Sequence, residues 1–390
     1  MRILMISKAC VVGAYQRKLE EIAAHPDVEL TVVVPPEWRD ERGVLPLERA
    51  YTKGYRLVVE PMAFNGNFHL HFYPKLARRF AEARPDIVHI DEEPYNLATW
   101  QALKLAHRHH AKTLFFSWQN LNRRYPFPFN LIESHVLGRA DYAICGNRDS
   151  ADVWRAKGYV GPIAVIPQFG VDPDLFSPHP SPPAPLPSPD ETSGEGRGVA
   201  QSAGVRSEVF TICYAGRFVP EKGVNVLIRA VAALDNDYRL VLIGSGPRRE
   251  ALIQLATECG LGNRLDVRPW MSSTEFPNFL HTLDALVLPS VTQANWKEQF
   301  GRVLVEAMAC GVPVVGSTCG EIPNVIGDAG LIVPEGDVEA LAAALSRLQT
   351  DAALRTELRH KGRQRVLAYF TQKKVAQETV RVYREMVNTV

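Results

Sequence analysis

Short apolar runs of strand character alternate with helical periodicity along nearly the whole 390-residue chain, and that alternation restricts the fold more than any other feature. In the first half Arg2–Ile6, Val28–Val34, Asp86–Ile90, Thr113–Ser117, Tyr142–Cys145 and Ile163–Ile166 read as strands. Tyr15–Ala24, Tyr95–His110 and Ser150–Lys157 read as helices between them. The second half repeats the pattern, with strands expected at Phe210–Tyr214, Tyr238–Ile243, Leu265–Arg268, Ala285–Leu288, Val312–Val315 and Gly330–Val333. Repeated strand–helix–strand units predict parallel sheets wound on both faces. Ligands of such sheets bind beyond the carboxyl ends of the strands. The rule selects Gly13, the Asp91-Glu92-Glu93 cluster and the Trp118-Gln119-Asn120 loop. Residues 35–85 carry a weaker pattern, in which Tyr55–Glu60 reads as a strand and Pro74–Ala83 as a helix.

A chain of this length exceeds one ordinary core, so two domains are expected. Residues 1–170 form the first and 208–370 the second, with a linker over 171–207 and a last helix over 371–390. Residues 178–206 hold seven prolines by Pro189 and become Ser/Gly-rich afterwards, which predicts a disordered insertion. Net charge is +1, which gives bulk charge no part in nucleic-acid binding. The six cysteines are scattered without a C-x-x-C pair, as in a protein with reduced thiols. MRILMIS reads as a first strand rather than a signal peptide, and no apolar run approaches the ~20 residues that span a bilayer. The expected setting is cytoplasmic.

The sharpest motif is Glu298–Gly311, EQFGRVLVEAMACG. A strand and a polar loop precede it. Gly301–Ala309 then has helical periodicity, and Gly311 and Pro313 end the helix. Glu298 falls just before the helix N-terminus, where unpaired N–H groups suit a phosphate. Glu306 falls inside the helix. One carboxylate can accept bonds from sugar hydroxyls and the other from a ribose diol. With Phe300, Gly301, Ala307 and GVPVV after it, the string resembles the E-x7-E signature of retaining GT-B glycosyltransferases, family 4 (glycosyl transferases group 1).

The resemblance implies two Rossmann-like doubly wound domains facing a cleft, with the C-terminal helix crossing back to the first domain. It implies transfer of a hexose-type sugar from a UDP- or GDP-sugar to a hydroxyl, with retention, in polysaccharide or glycoconjugate biosynthesis. Arg217 and Lys222, in G-R-F-x-x-E-K-G, match the basic pair that grips the donor diphosphate. Glu298 would hold the sugar and Glu306 the ribose. Phe300, Gly301 and Arg302 belong to the same donor motif. Gly244 and Gly246 would let the nucleotide approach backbone, Trp270-Met271 would pack the base, and Gly13 would touch the phosphate or simply make a tight turn. Asp91, Glu92 and Glu93 either orient acceptor hydroxyls or form a solvated acidic turn. Phe169-Gly170-Val171-Asp172 resembles the N-G-V-D turn that ends the first domain, with Gln168 in place of asparagine.

The main departure is after Thr113–Ser117, where many members place a histidine near the donor sugar and this chain has Trp118-Gln119-Asn120. Either Gln119 or Asn120 supplies neutral hydrogen bonds there, or the acceptor lies differently. No cofactor and no metal are expected, because Asp235-Asn236-Asp237, a D-x-D string, reads as an ordinary turn. Arg123, Arg124, Tyr125, Phe127 and Phe129 mix basic and aromatic residues, which suits a lipid-linked acceptor at a membrane surface or a loop packed on its own domain. The rivals to transfer are a nucleotide-sugar epimerase and a non-catalytic nucleotide-sugar-binding partner of a polysaccharide assembly complex.

Overall fold

The computed structural model describes residues 1–40, 43–178, 209–235, 238–272 and 275–388. Among these residues, fifteen strands form two large parallel sheets and one hairpin. The first sheet takes β1 (Arg2–Ile6) and β2 (Glu29–Val34). After the hairpin of β3 (Glu37–Asp40) and β4 (Gly43–Pro46), it continues with β5 (Arg56–Val59), β6 (Ile87–Ile90), β7 (Lys112–Ser117), β8 (Tyr142–Cys145) and β9 (Ile163–Val165). Its spatial order is β5-β2-β1-β6-β7-β8-β9. The second sheet takes β10 (Phe210–Ala215), β11 (Tyr238–Ile243), β12 (Leu265–Arg268), β13 (Ala285–Leu288), β14 (Val314–Ser317) and β15 (Leu331–Val333), in the order β12-β11-β10-β13-β14-β15. Both orders reverse beside the first strand of the domain, between β1 and β6 and between β10 and β13. These are the switch points where a doubly wound sheet opens a crevice.

The strands are continuous apolar runs because both faces of each sheet are covered. In β1, Leu4 and Ile6 join one core cluster and Ile3 and Met5 the other. The second of these is closed by the last helix, Gln372–Asn388, through Ala376, Val380, Tyr383 and Met386, all at most 3% exposed. The helix therefore returns to the first domain, as the resemblance implies. The two crossings of the chain meet there. Val171 N–H donates to Phe370 O at 2.8 Å and Gln372 N–H to Val171 O at 3.0 Å. A Cβ at Gly170 would stand 2.4 Å from the Thr371 carbonyl carbon, so the FGVD turn requires its glycine.

Several boundaries differ from expectation. The first helix begins at Arg17, because Gly13–Gln16 is a 3-10 turn, and the helix expected from Tyr95 runs Leu97–Arg108. The hairpin of β3 and β4 gives no sequence signal because its strands are four residues long and bury only Trp38. The Pro/Ser/Gly-rich tract from 179 to 208, and Asn236 and Asp237 of the D-x-D string, lie outside the described residues.

Candidate active site

The switch point of the second sheet brings together the loops that follow β10 and β13. A Cβ on Gly223 would come within 2.0 Å of Pro289 O, so the two loops touch backbone to backbone. This contact sets Lys222, in the turn Pro220–Lys222, against Glu298. Lys222 Nζ lies 2.5 Å from Glu298 Oε2, and Ser290 Oγ donates to the same oxygen at 3.0 Å. Glu298 is 7% exposed, so the pair is a largely desolvated contact rather than a solvated turn. Its backbone is fixed as well. Glu298 O accepts from Glu321 N at 3.1 Å and from Asn120 Nδ2 at 3.3 Å, and Glu298 N–H donates to Cys319 Sγ at 3.4 Å. Gly320 packs so closely on it that a Cβ would stand 2.1 Å from Glu298 O. Arg217 is half exposed and lies 3.8 Å from Glu221.

Helix Arg302–Ala309 starts from Gly301, which has φ +77° and allows the sharp entry that a side chain would oppose. Glu306 projects from its second turn into a cavity of about 350 Å³ that is also lined by Trp270, Met271, Phe276, Arg302 and Tyr15. The Glu306 carboxyl is raised by burial, against the pull of Arg302, whose Nε donates to Oε1 at 2.8 Å. The expected base-and-ribose partners, Trp270, Met271 and Glu306, thus share one cavity. Gly244 and Gly246 do not line it. Their φ angles of +139° and +153° let the loop after β11 lie on the Arg217 loop, where a Cβ would approach Gly216 O within 2.0 Å and Phe218 O within 2.6 Å. Phe300 does not line that cavity either. It sits in the seam between domains, 5.9 Å from the Trp118 ring and 5.7 Å from that of Phe370.

The switch point of the first sheet holds a second cavity, of about 240 Å³, walled by Lys8, Trp38, Phe68, Trp118 and the Asp91–Glu93 cluster. Tyr15 and Val12 line both cavities and separate them. Tyr15 is stacked on Phe169 at 3.9 Å, and the Arg302 guanidinium lies 5.2 Å from its ring on the donor side. Asp91 and Glu92 are 3% and 2% exposed, which replaces the reading as a solvated acidic turn. Asp91 accepts from Ser7 Oγ at 2.5 Å and Gln168 Nε2 at 2.9 Å. Glu92 Oε2 accepts from Lys8 Nζ. Burial alone would raise the Glu92 carboxyl, but Lys8 and His71 hold it down at about 2. Burial pushes the Glu93 carboxyl up to about 7, against hydrogen bonds from Ser117 Oγ at 2.6 Å and Trp118 N–H at 2.8 Å.

Three first-domain residues make contacts within the protein. Gly13 N–H donates to Glu48 Oε2 at 2.5 Å, and a Cβ there would stand 2.7 Å from that oxygen. The glycine therefore makes a tight internal turn, one of its two expected roles. Gln119 binds Leu121 O and Tyr125 OH within its own loop. Asn120 reaches across to Lys297 O and Glu298 O, so it ties the domains together and does not line the acceptor-side cavity. Of the aromatic-basic loop, Tyr125 stacks on Tyr95 at 4.0 Å, Arg123 binds Asn295 O, and Phe127 is 76% exposed. Lys8, Trp38, Phe68, Glu48 and Ser290 were missed. Lys8 and Ser290 carry a signal, since each stands just past the carboxyl end of a strand at a switch point, β1 and β13. No helix of the described residues is long and apolar enough to cross a membrane.

Two Rossmann-like sheets facing one another, a returning last helix and paired cavities across the seam define a GT-B glycosyltransferase fold. Family profiles agree. Residues 200–365 match glycosyl transferases group 1 and residues 19–175 match glycosyltransferase family 4. The chain belongs to the group 1 glycosyltransferases of the GT-B fold. Among its relatives, D-inositol 3-phosphate glycosyltransferase of Mycobacterium marinum is 30% identical over 225 residues, which is 55% of this chain and 44% of that protein. The lipopolysaccharide core biosynthesis glycosyltransferase LpsE of Rhizobium meliloti is 37% identical over 41% of this chain and 45% of that protein. The chain thus matches about half the length of these relatives. Sucrose-phosphate synthase of Thermosynechococcus elongatus superposes with TM-score 0.69 at 22% identity, over 100% of this chain and 99% of that one. Anabaena HepE, solved in complex with UDP and glucose, gives TM-score 0.66 at 17% identity, over 98% and 99%.

Proposed function

We propose that the protein transfers a hexose-type sugar from a nucleoside-diphosphate sugar to a hydroxyl acceptor, with retention of the anomeric configuration, in glycoconjugate assembly. The observation that carries this reading is the Lys222–Glu298 contact at the second switch point, beside a helix whose Glu306 lines a cavity with Trp270 and Met271. A nucleotide base seated on Trp270 and Met271 directs its ribose to Glu306. The diphosphate then lies toward Arg217 and Lys222, and the sugar toward Glu298. The bond between the anomeric carbon and the phosphate oxygen breaks as the acceptor oxygen bonds to the same face. The acceptor proton passes to the leaving phosphate oxygen. Lys222 and Arg217 stabilise the charge that develops there, the role that preformed cations serve best in a partly desolvated cleft. No metal is assigned to the leaving group. The UDP and glucose bound by HepE support a sugar-nucleotide donor, and the names of the sequence relatives support glycosyl transfer.

A panel of UDP- and GDP-sugars tests the reading by release of nucleoside diphosphate, with proton NMR of the product's anomeric signal for retention. Arg217→Ala should lower turnover by ~10²-fold or more, and EDTA should leave it unchanged. Binding of sugar nucleotides without turnover or hydrolysis would turn the assignment to the non-catalytic rival.

A further inference from the structure

We propose that the first-domain cavity beside Tyr15 is built for an uncharged, polyhydroxylated ring as acceptor and turns away anionic acceptors such as sugar or inositol phosphates. This rests on the glycosyl-transfer reading above and adds the chemical class of the acceptor. Asp91, Glu92 and Glu93 belong to the cavity wall with one cationic residue among the described ones, Lys8. Lys8 is already committed. It is paired to Glu92 and lies 4.5 Å from the Phe68 ring centroid and 5.3 Å from that of Trp38. Asp91 is met only by the neutral donors Ser7 and Gln168, and Glu93 only by Ser117 and the Trp118 N–H.

Asp91 and Glu93 are the carboxylates left to meet an acceptor. The Glu92 side chain has no exposure and lies behind the cavity surface, its Oε1 buried without a hydrogen-bond partner. Asp91 and Glu93 accept hydrogen bonds from neutral groups and keep lone pairs for a further donor, which a sugar hydroxyl supplies and a phosphate dianion does not. Trp38, Phe68 and Trp118 give the apolar walls that the C–H faces of a sugar ring need. A phosphate in the same space would face Asp91 and Glu93 with no uncommitted cation among the described lining residues, and like charges brought together in this way oppose binding strongly.

The test uses the whole chain with the donor that the panel selects. Methyl glucoside, methyl mannoside and myo-inositol are each compared with a phosphorylated counterpart. The readouts are nucleoside-diphosphate release above hydrolysis and quenching of tryptophan fluorescence in the diphosphate-bound protein. At least one neutral probe should outperform its phosphorylated counterpart by about tenfold or more. In Glu92→Gln the Lys8 ammonium loses its partner, so the phosphorylated probes should gain about fivefold relative to the neutral ones. A phosphorylated probe that equals or exceeds its parent with the unaltered protein overturns the inference. So does a protein that binds the nucleoside diphosphate yet responds to neither class. Failure to bind any nucleoside diphosphate strikes instead at the transfer reading, and the inference falls with it.

Discussion

Replacing Glu298 by Gln tests whether the Lys222 contact organises the cleft. The carboxylate Oε2 holds both the Lys222 ammonium at 2.5 Å and the Ser290 hydroxyl at 3.0 Å. The amide keeps the volume and loses the charge. The Lys222 and Glu298 side chains are 15% and 9% exposed, so the pair is shielded but not sealed from water. Breaking a fully buried pair costs about 3–5 kcal/mol and breaking an exposed one about 0–1 kcal/mol. The coupling expected here is therefore about 2 kcal/mol, intermediate between those limits. A cycle of Glu298→Gln, Lys222→Met and the double variant measures it by urea unfolding. For a domain of this size that coupling corresponds to about 4–8 °C in melting temperature. Turnover of the sugar nucleotide should fall in each single variant, while Glu298→Gln still binds the free nucleoside diphosphate. A coupling below about 0.5 kcal/mol, the additive limit, together with unchanged turnover, would refute the idea that this pair sets the geometry.

Three further outcomes are expected. Glu306→Gln should weaken the free nucleoside diphosphate by about 10- to 150-fold in titration calorimetry, the worth of a charge-assisted hydrogen bond; equal weakening by Glu298→Gln would show that the two glutamates do not divide the donor. Gly320→Ala should abolish most turnover while circular dichroism stays native, because its Cβ would press on Glu298 O at a backbone φ of +55°; normal turnover would show that the Glu298 loop is not held there. His89 is buried between sheet and last helix with Tyr383 OH 2.6 Å from its Nδ1, and burial pushes it down to about 3, below the usual ~6.5. The unfolded chain therefore takes up the proton first. The stabilisation from His89 is complete above pH ~6.5 and is lost as pH falls toward 3, amounting to about 3 kcal/mol by pH 4.5. Melting temperature should fall less steeply from pH 7 to 4.5 in His89→Asn, and identical slopes would reject that account.

The sequence by itself determined the architecture. Strand-length apolar runs such as Ile3–Ile6 and Leu240–Ile243 are continuous because both sheet faces are covered, and that periodicity is local enough to read from the chain. It also determined where chemistry concentrates, since β1, β6, β10 and β13 end in Lys8, Asp91–Glu93, Arg217 and the Glu298 loop. Tertiary structure alone decided the partners. Lys222 and Glu298 are 76 residues apart, and Asn120 and Glu298 are 178 apart, so only the strand order makes them neighbours. The same holds for the glycines. Gly244 and Gly246 read as openings for a ligand and Gly13 as such an opening or a tight turn, and each is required by another stretch of its own chain, because the steric space at a Cβ is not a local property. Trp38 and Phe68 wall the acceptor-side cavity from a hairpin and a loop too short to leave a pattern. Which carboxylate is paired with Lys8, and which is left to meet an acceptor, follows from packing across three loops that no spacing in the sequence encodes.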